Sequence, residues 1–254
     1  MLFLHGQPGS ARDWNAVVSA IGPRAETIAF DRPGWDGRTP AGGLAVSARA
    51  AAAVLHSHDV ERATVVGLSF GGGVAARMAL DFPERVAALV LVSPAANTAS
   101  LALVDRLLAA PVAGYAASAA LLAGAGWMLG SGWVRRRLQE AFSFPDDYLR
   151  GAAGRLRTRA VWDSFFIEQR ALLRDLPDLE ARLHEITAPT TIVIGTADTI
   201  LPAAAGRTLA RQIPRARLVE IEGGHHVLPA EHPERLADEI LLAAAVARRE
   251  VCAR

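Results

Sequence analysis

The chain has 254 residues, 51% of them hydrophobic and 21% charged, and its 27 basic and 26 acidic residues leave a net charge of +1. That is the composition of a folded globular chain of one large domain, or one domain with an insertion, with no basic excess to hold nucleic acid. Alanine occurs 51 times and lysine never, which excludes Schiff-base chemistry, a pyridoxal-phosphate anchor, a Ser-Lys dyad and a Walker A lysine, whatever codon bias produced it.

In chain order, Met1–Leu4 reads as a short apolar strand running directly into His5-Gly6-Gln7-Pro8-Gly9-Ser10. No secretory signal precedes it, and the single cysteine, Cys252, has no partner for a disulfide, so a cytoplasmic location is expected. A helix over Asp13–Ile21, a strand over Glu26–Phe30 and a helix over Leu44–Ser57 follow, with Asp31-Arg32-Pro33-Gly34 as the turn after the strand. Asp31 is expected to fix that turn through side-chain-to-backbone bonds. Next come a strand over Ala63–Val66, a helix over Phe70–Asp81 and a strand over Val86–Val92, whose unbroken apolar run suits burial on both faces.

The strand–helix alternation then stops. From about Ala95 to Ile186 the sequence reads as helices only, interrupted at Phe144-Pro145-Asp146-Asp147. Within it, Leu107–Val134 carries no charge and is long enough to span a bilayer, but Pro111, five glycines and many alanines dilute its hydrophobicity. Buried or partly exposed helices are expected there rather than a span. Arg135-Arg136-Arg137 reads as a solvated helix face, with carboxylate recognition as the alternative. Strands over Thr190–Ile194 and Ala216–Ile221 and helices over Ala203–Gln212 and Pro233–Arg249 complete the pattern. The expected fold is α/β, a doubly wound, mostly parallel sheet formed by residues 1–94 and 187–254, with residues 95–186 as an inserted helical cap.

Gly67-Leu68-Ser69-Phe70-Gly71 lies between a strand and an apolar helix, the context that gives a G-x-S-x-G motif its meaning. The glycines allow a tight turn that lifts the serine hydroxyl above the sheet. A serine needs a base, and the base a carboxylate to orient it. Gly223-Gly224-His225-His226 supplies two candidate bases after one strand, and Asp198 in Gly195-Thr196-Ala197-Asp198 leaves the strand before. The order Ser69, Asp198, histidine is the one this architecture uses. The loop after Val92, Ser93-Pro94-Ala95-Ala96-Asn97, holds no carboxylate before Asp105 that could replace Asp198. Phe70 opens a helix, so its free amide sits at the positive end of the helix dipole. The adjacent histidines are a poor metal pair, and neither a metal nor a cofactor is expected.

These stretches, together with Glu231-His232-Pro233, resemble the α/β-hydrolase superfamily over nearly the whole chain. The resemblance implies that the amides of Gln7 and Phe70 form an oxyanion hole, and that the base is His226, seven residues before the proline, with His225 packing beside the site. Ser69 stands where epoxide hydrolases and haloalkane dehalogenases of this fold carry aspartate, which disfavours those activities. What remains expected is a serine hydrolase acting on a small apolar ester or related carbonyl substrate. The alternatives are a C–C bond hydrolase of ring-cleavage products, a cofactor-free haloperoxidase or perhydrolase, a slow-turnover ligand sensor, or a lipid hydrolase held to a membrane by Leu107–Val134. Trp14 and Trp35 are candidates to line the acyl side, and Trp127, Met128 and Trp133 to form apolar cap walls or to pack the cap on the core. The resemblance also implies a strand pair before the His-Gly loop, so a start upstream of Met1 is expected, with a trimmed, exposed sheet edge as the alternative.

Overall fold

The computed structural model of the protein describes residues 1–142 and 144–252. Strands β1 (Leu2–Leu4), β2 (Ile28–Ala29), β3 (Ala63–Leu68), β4 (Val86–Val92), β5 (Thr190–Gly195) and β6 (Ala216–Ile221) form one six-stranded sheet in the order β2-β1-β3-β4-β5-β6. Every neighbouring pair is parallel, so the expected "mostly parallel" sheet is wholly parallel among the described residues.

The two-residue period of the strands sorts side chains between two hydrophobic cores. Leu2, Leu4, Leu89, Leu91, Ile192 and Ile194 enter one cluster, and Phe3, Val90, Val92 and Val193 the other. Helices α1 (Asn15–Ile21) and α11 (Pro233–Cys252) close the second face, where Val17, Ile21, Leu236 and Ile240 are fully buried. On the first face lie α2 (Leu44–Ser57), α3 (Phe70–Asp81) and α9 (Ala203–Gln212), contributing Leu55, Val74 and Leu209 among others. Each such aliphatic side chain contributes about 1.5–3 kcal/mol of burial, so the two faces together fix the register of the sheet.

Between β4 and β5 the chain is helical throughout: α4 (Leu103–Leu108), α5 (Ala113–Gly130), α6 (Gly132–Phe142), α7 (Asp146–Arg155) and α8 (Arg159–Arg182). The first half of α8 puts Phe165 into a small cluster with Leu108, Leu122 and Leu156, while its second half puts Leu172, Leu176 and Leu179 into the sheet-side core. One helix thereby belongs to both layers. A short helix, α10 (Leu228–Glu231), precedes α11. Cys252 ends α11, and its side chain lies outside the described ones.

Of the boundaries that differ from expectation, three do so for local reasons. The segment read as a helix from Asp13 starts as a 3-10 turn, Ala11–Trp14, because the Asp13 carboxylate accepts the Ser10 amide at 2.9 Å. β2 shrinks to two residues at the sheet edge. β3 runs on to Leu68 because pairing with β4 continues to Leu68↔Val92, and the Ser69 amide then bonds Val92 O at 2.9 Å.

Candidate active site

In a parallel sheet all strand C-termini share one edge, and a crevice opens where the strand order reverses. Here it reverses between β1 and β3: the chain steps one way to β2 and the other way to β3. The loops carrying His5–Gln7 and Ser69 therefore face each other across that point. A Cβ built on Gly6 would stand 3.2 Å from Ser69 Cβ, which measures how closely they approach.

Ser69 sits at φ 53°, a conformation that L-residues adopt only under constraint. Its surroundings impose it. A Cβ on Gly67 would meet Gly71 O at 2.1 Å, and one on Gly71 would meet Leu4 O at 2.3 Å, so the turn closes only where both side chains are absent. The Ser69 carbonyl is held by the amides of Gly72 at 2.8 Å and Ala95 at 3.0 Å. Phe70, fully buried, opens α3 immediately afterwards.

Asp198 and His226 meet: His226 Nδ1 lies 2.8 Å from Asp198 Oδ2, with side chains 13% and 2% exposed. The other carboxylate oxygen accepts the amides of Ile200 at 2.8 Å and Leu201 at 2.9 Å, which locks its orientation. Burial would raise the Asp198 pKa, but the His226 bond, its charge and these amides outweigh burial and hold it below the ordinary value. An ionised acceptor requires the imidazole proton on Nδ1 and leaves Nε2 as the basic nitrogen. A Cβ on Gly195 would meet Gly224 O at 2.1 Å, so the two loops that carry this pair are in direct backbone contact. His225 turns elsewhere: its amide and Nδ1 both approach Glu231 Oε2, at 2.8 and 3.2 Å.

Beneath the His5–Gln7 loop lies a feature that the sequence reading did not assign. Arg32 is fully buried and forms an ion pair with Glu168 of α8, whose side chain is also fully buried. Its guanidinium also donates to His5 O at 3.0 Å and Gly6 O at 2.9 Å, and stacks 4.7 Å from the Phe70 ring. His5 adds a second donor to Gly6 O at 2.8 Å from Nδ1, while its Nε2 accepts the Arg32 amide at 3.1 Å. Burial first, and then the Arg32 charge, hold the His5 pKa well below 6.5, so the ring is neutral. In a planar trans peptide C=O and N–H point opposite ways. Two donors on Gly6 O therefore turn the Gln7 amide away from Arg32. The Gln7 side chain is fixed in turn: its Nε2 donates to Gln169 Oε1 at 2.8 Å, and Gln169 Nε2 donates to Asp105 at 2.7 Å.

Other expected residues lie elsewhere. Asp31 does not brace its own turn; its carboxylate accepts the Ala11 amide at 2.7 Å and ties two loops together. Trp14 is core, fully buried with its ring 5.1 Å from Phe3, and does not line the crevice. Trp127, Met128 and Trp133 neither wall a pocket nor pack on the core, being 71%, 63% and 68% exposed. Trp35 stays near the site, edge-on to His5 at 5.9 Å and against the cluster of Leu108, Leu122, Leu156 and Phe165. Among the described residues, no group of three His, Cys, Asp or Glu side chains could hold a metal ion. The one sequence signal for the missed pair was Glu168 and Gln169 interrupting the apolar stripe Phe165, Leu172, Leu176, Leu179 of α8.

A family model described as the alpha/beta hydrolase family matches residues 1–239. The 2-hydroxymuconate semialdehyde hydrolase of Pseudomonas sp. strain CF600 is 29% identical over 253 residues, covering 93% of this chain and 83% of that protein. A poly(3-hydroxyalkanoate) depolymerase of Ectopseudomonas oleovorans is 29% identical over 221 residues, covering 82% and 71%. Among solved structures, a thermophilic esterase from Thermogutta terrifontis superposes with a TM-score of 0.72 at 20% identity, covering 97% of this chain and 89% of that one. With its wholly parallel sheet and its match over nearly the full length, this chain belongs to the α/β-hydrolase family, a family of hydrolytic enzymes.

Proposed function

We propose that the chain is a serine hydrolase that transfers the acyl group of a small apolar ester or related carbonyl substrate through Ser69 to water. The observation that carries this reading is a serine held at φ 53° on a strand-to-helix turn, on the same sheet edge as a 2.8 Å Asp198–His226 pair. In this scheme Ser69 Oγ attacks the carbonyl carbon while His226 Nε2 takes its proton, and Asp198 stabilises the resulting imidazolium. The Gln7 and Phe70 amides donate hydrogen bonds to the developing oxyanion, the second at the positive end of α3. Collapse expels the leaving alkoxide, which takes the proton from His226 and leaves an acyl-Ser69 ester. Water then repeats the sequence with His226 again as base, releasing the acid.

Apolar acyl groups are favoured by Trp35, which stands edge-on to His5 and packs against the cluster of Leu108, Leu122, Leu156 and Phe165. A similarity to a depolymerase of a polyester supports ester chemistry. The similarity to a 2-hydroxymuconate semialdehyde hydrolase supports a second reading, cleavage of a carbon–carbon bond next to a carbonyl. A panel of short p-nitrophenyl esters and ring-cleavage dienones separates the two. For the serine mechanism itself, a fluorophosphonate probe is expected to label the protein and to fail on Ser69→Ala. Equal labelling of both proteins overturns the proposal.

A further inference from the structure

Helix α5 is an 18-residue rod, about 27 Å long, with no charged side chain and only Tyr115 and Ser118 as hydroxyl-bearing ones. Its inward row is Gly114, Ser118, Leu122 and Gly126, in which three small residues let Leu122 settle against the neighbouring helices. Its outward row, including Ala113, Ala116, Ala120, Leu121, Trp127 and Met128, is exposed and has no polar side chain. No described helix is long and apolar enough to cross a membrane, so this face is neither buried in the fold nor part of a span. A solvent-facing helix side without one polar group is a contact surface awaiting an apolar medium.

The charges around it say which medium. From residue 103 to 163 eight arginines stand against five carboxylates, a larger positive excess than the +1 of the whole chain. The arginines cluster at the tryptophan end. Arg157 lies 5.3 Å from the Trp127 ring and Arg137 5.8 Å from the Trp133 ring, with exposed Arg136 next to Arg137 in sequence. Arg135 is occupied differently, closing the C-terminus of α5 through Leu129 O and Gly130 O and pairing with Asp146. Tryptophan and methionine beside arginine match the boundary of a bilayer, where rings sit at headgroup level and guanidinium groups meet lipid phosphate. A second copy of the chain fits less well, because symmetric pairing of this face would set its arginine-rich rim near that of the partner.

We propose that the α5–α6 face docks on the surface of an anionic bilayer, with α5 lying in the plane of the headgroups and Trp127, Met128 and Trp133 inserted. This stands independently of the hydrolase reading, since it is measured without substrate. The test is flotation of the full chain with phosphatidylcholine vesicles, with and without phosphatidylglycerol, at low and high salt. The chain is expected to float with the anionic vesicles, and to lose most of that association in high salt. The double variant Trp127→Glu/Trp133→Glu should abolish flotation, and Arg136→Glu should weaken the partition about tenfold. All three positions are exposed, so each variant should keep the wild-type circular dichroism and thermal midpoint. No flotation of the wild type, or flotation unchanged in both variants, overturns the proposal. So does light scattering that shows a dimer abolished by Trp127→Glu/Trp133→Glu without any vesicle binding, which would assign the face to a second copy.

Discussion

Burial alone would raise the Asp198 carboxyl; the bond and charge of His226 and the amides of Leu201 and Ile200 outweigh it, leaving the group below the ordinary aspartate value of 3.8. A carboxyl whose folded pKa is depressed stabilises the native state above the unfolded pKa, and that contribution is lost as pH falls through the folded value. The stability difference between wild type and Asp198→Asn should accordingly shrink as pH falls below about 4. Denaturant titrations between about pH 4 and pH 2 measure it, and a difference that grows over that interval would contradict the assignment. The same substitution removes the acceptor that holds the His226 proton on Nδ1. Ester turnover at neutral pH should then fall by about 10⁴-fold, the scale of a misplaced tautomer, with the fold intact. His226 also has an adjacent rival that the motif could not separate from it. In the structure His225 bonds Glu231 while His226 faces Asp198.

Helix α3 begins against the sheet because its first turn has no side chains to hold it off. A Cβ at Gly71 would come within 2.3 Å of Leu4 O and 2.5 Å of His5 O, both backbone atoms that cannot swing aside. Gly71→Ala should therefore displace the start of α3 and cost several kcal/mol, enough to lower the thermal midpoint by roughly 10 °C in a domain of this size. Gly124, in the exposed interior of α5, is the control: its Cβ would meet nothing within 4 Å. Gly124→Ala should stabilise by about 0.5–1 kcal/mol through helix propensity, raising the midpoint by a few degrees. Elements of this kind were legible in the sequence. The spans Leu44–Ser57, Phe70–Asp81, Val86–Val92, Ala203–Gln212 and Ala216–Ile221 coincide with expectation, because their periods and end signals are local. The motifs around Ser69, Asp198 and His226 were legible for the same reason. The tryptophans were misjudged because an apolar residue reads alike in a core, as at Trp14, on a pocket wall or on an outer face, as at Trp127. The sequence pattern records hydrophobicity, not which neighbour covers it.

Across the whole molecule, the Arg32–Glu168 contact joins residues 136 apart, and the local pattern showed only that Glu168 breaks an apolar stripe, not which residue it meets. Arg32 and Glu168 tie α8, and with it the helical layer, to the carbonyls that orient the Gln7 amide. A fully buried ion pair is weak evidence of stability, since desolvating both charges costs about as much as their attraction returns. Its retention here follows from what else the guanidinium does: one planar fork grips the carboxylate and two loop carbonyls at once, which no apolar side chain can do. The two roles are separable. Glu168→Gln should cost about 3–5 kcal/mol because it leaves Arg32 buried without its counter-ion. Replacing both partners together, Arg32→Met with Glu168→Leu, should restore most of that stability, as volume-matched apolar pairs commonly do. Turnover should not return with it. Gly6 O would lose its Arg32 donor, the Gln7 amide would lose its fixed direction, and kcat should remain about 10²-fold down with KM little changed, the pattern of a weakened oxyanion donor. Thermal unfolding and steady-state kinetics on the two variants measure both quantities. A double variant that regains full kcat along with its stability would reduce the pair to a packing element and leave the His5–Gln7 loop to be oriented by His5 alone.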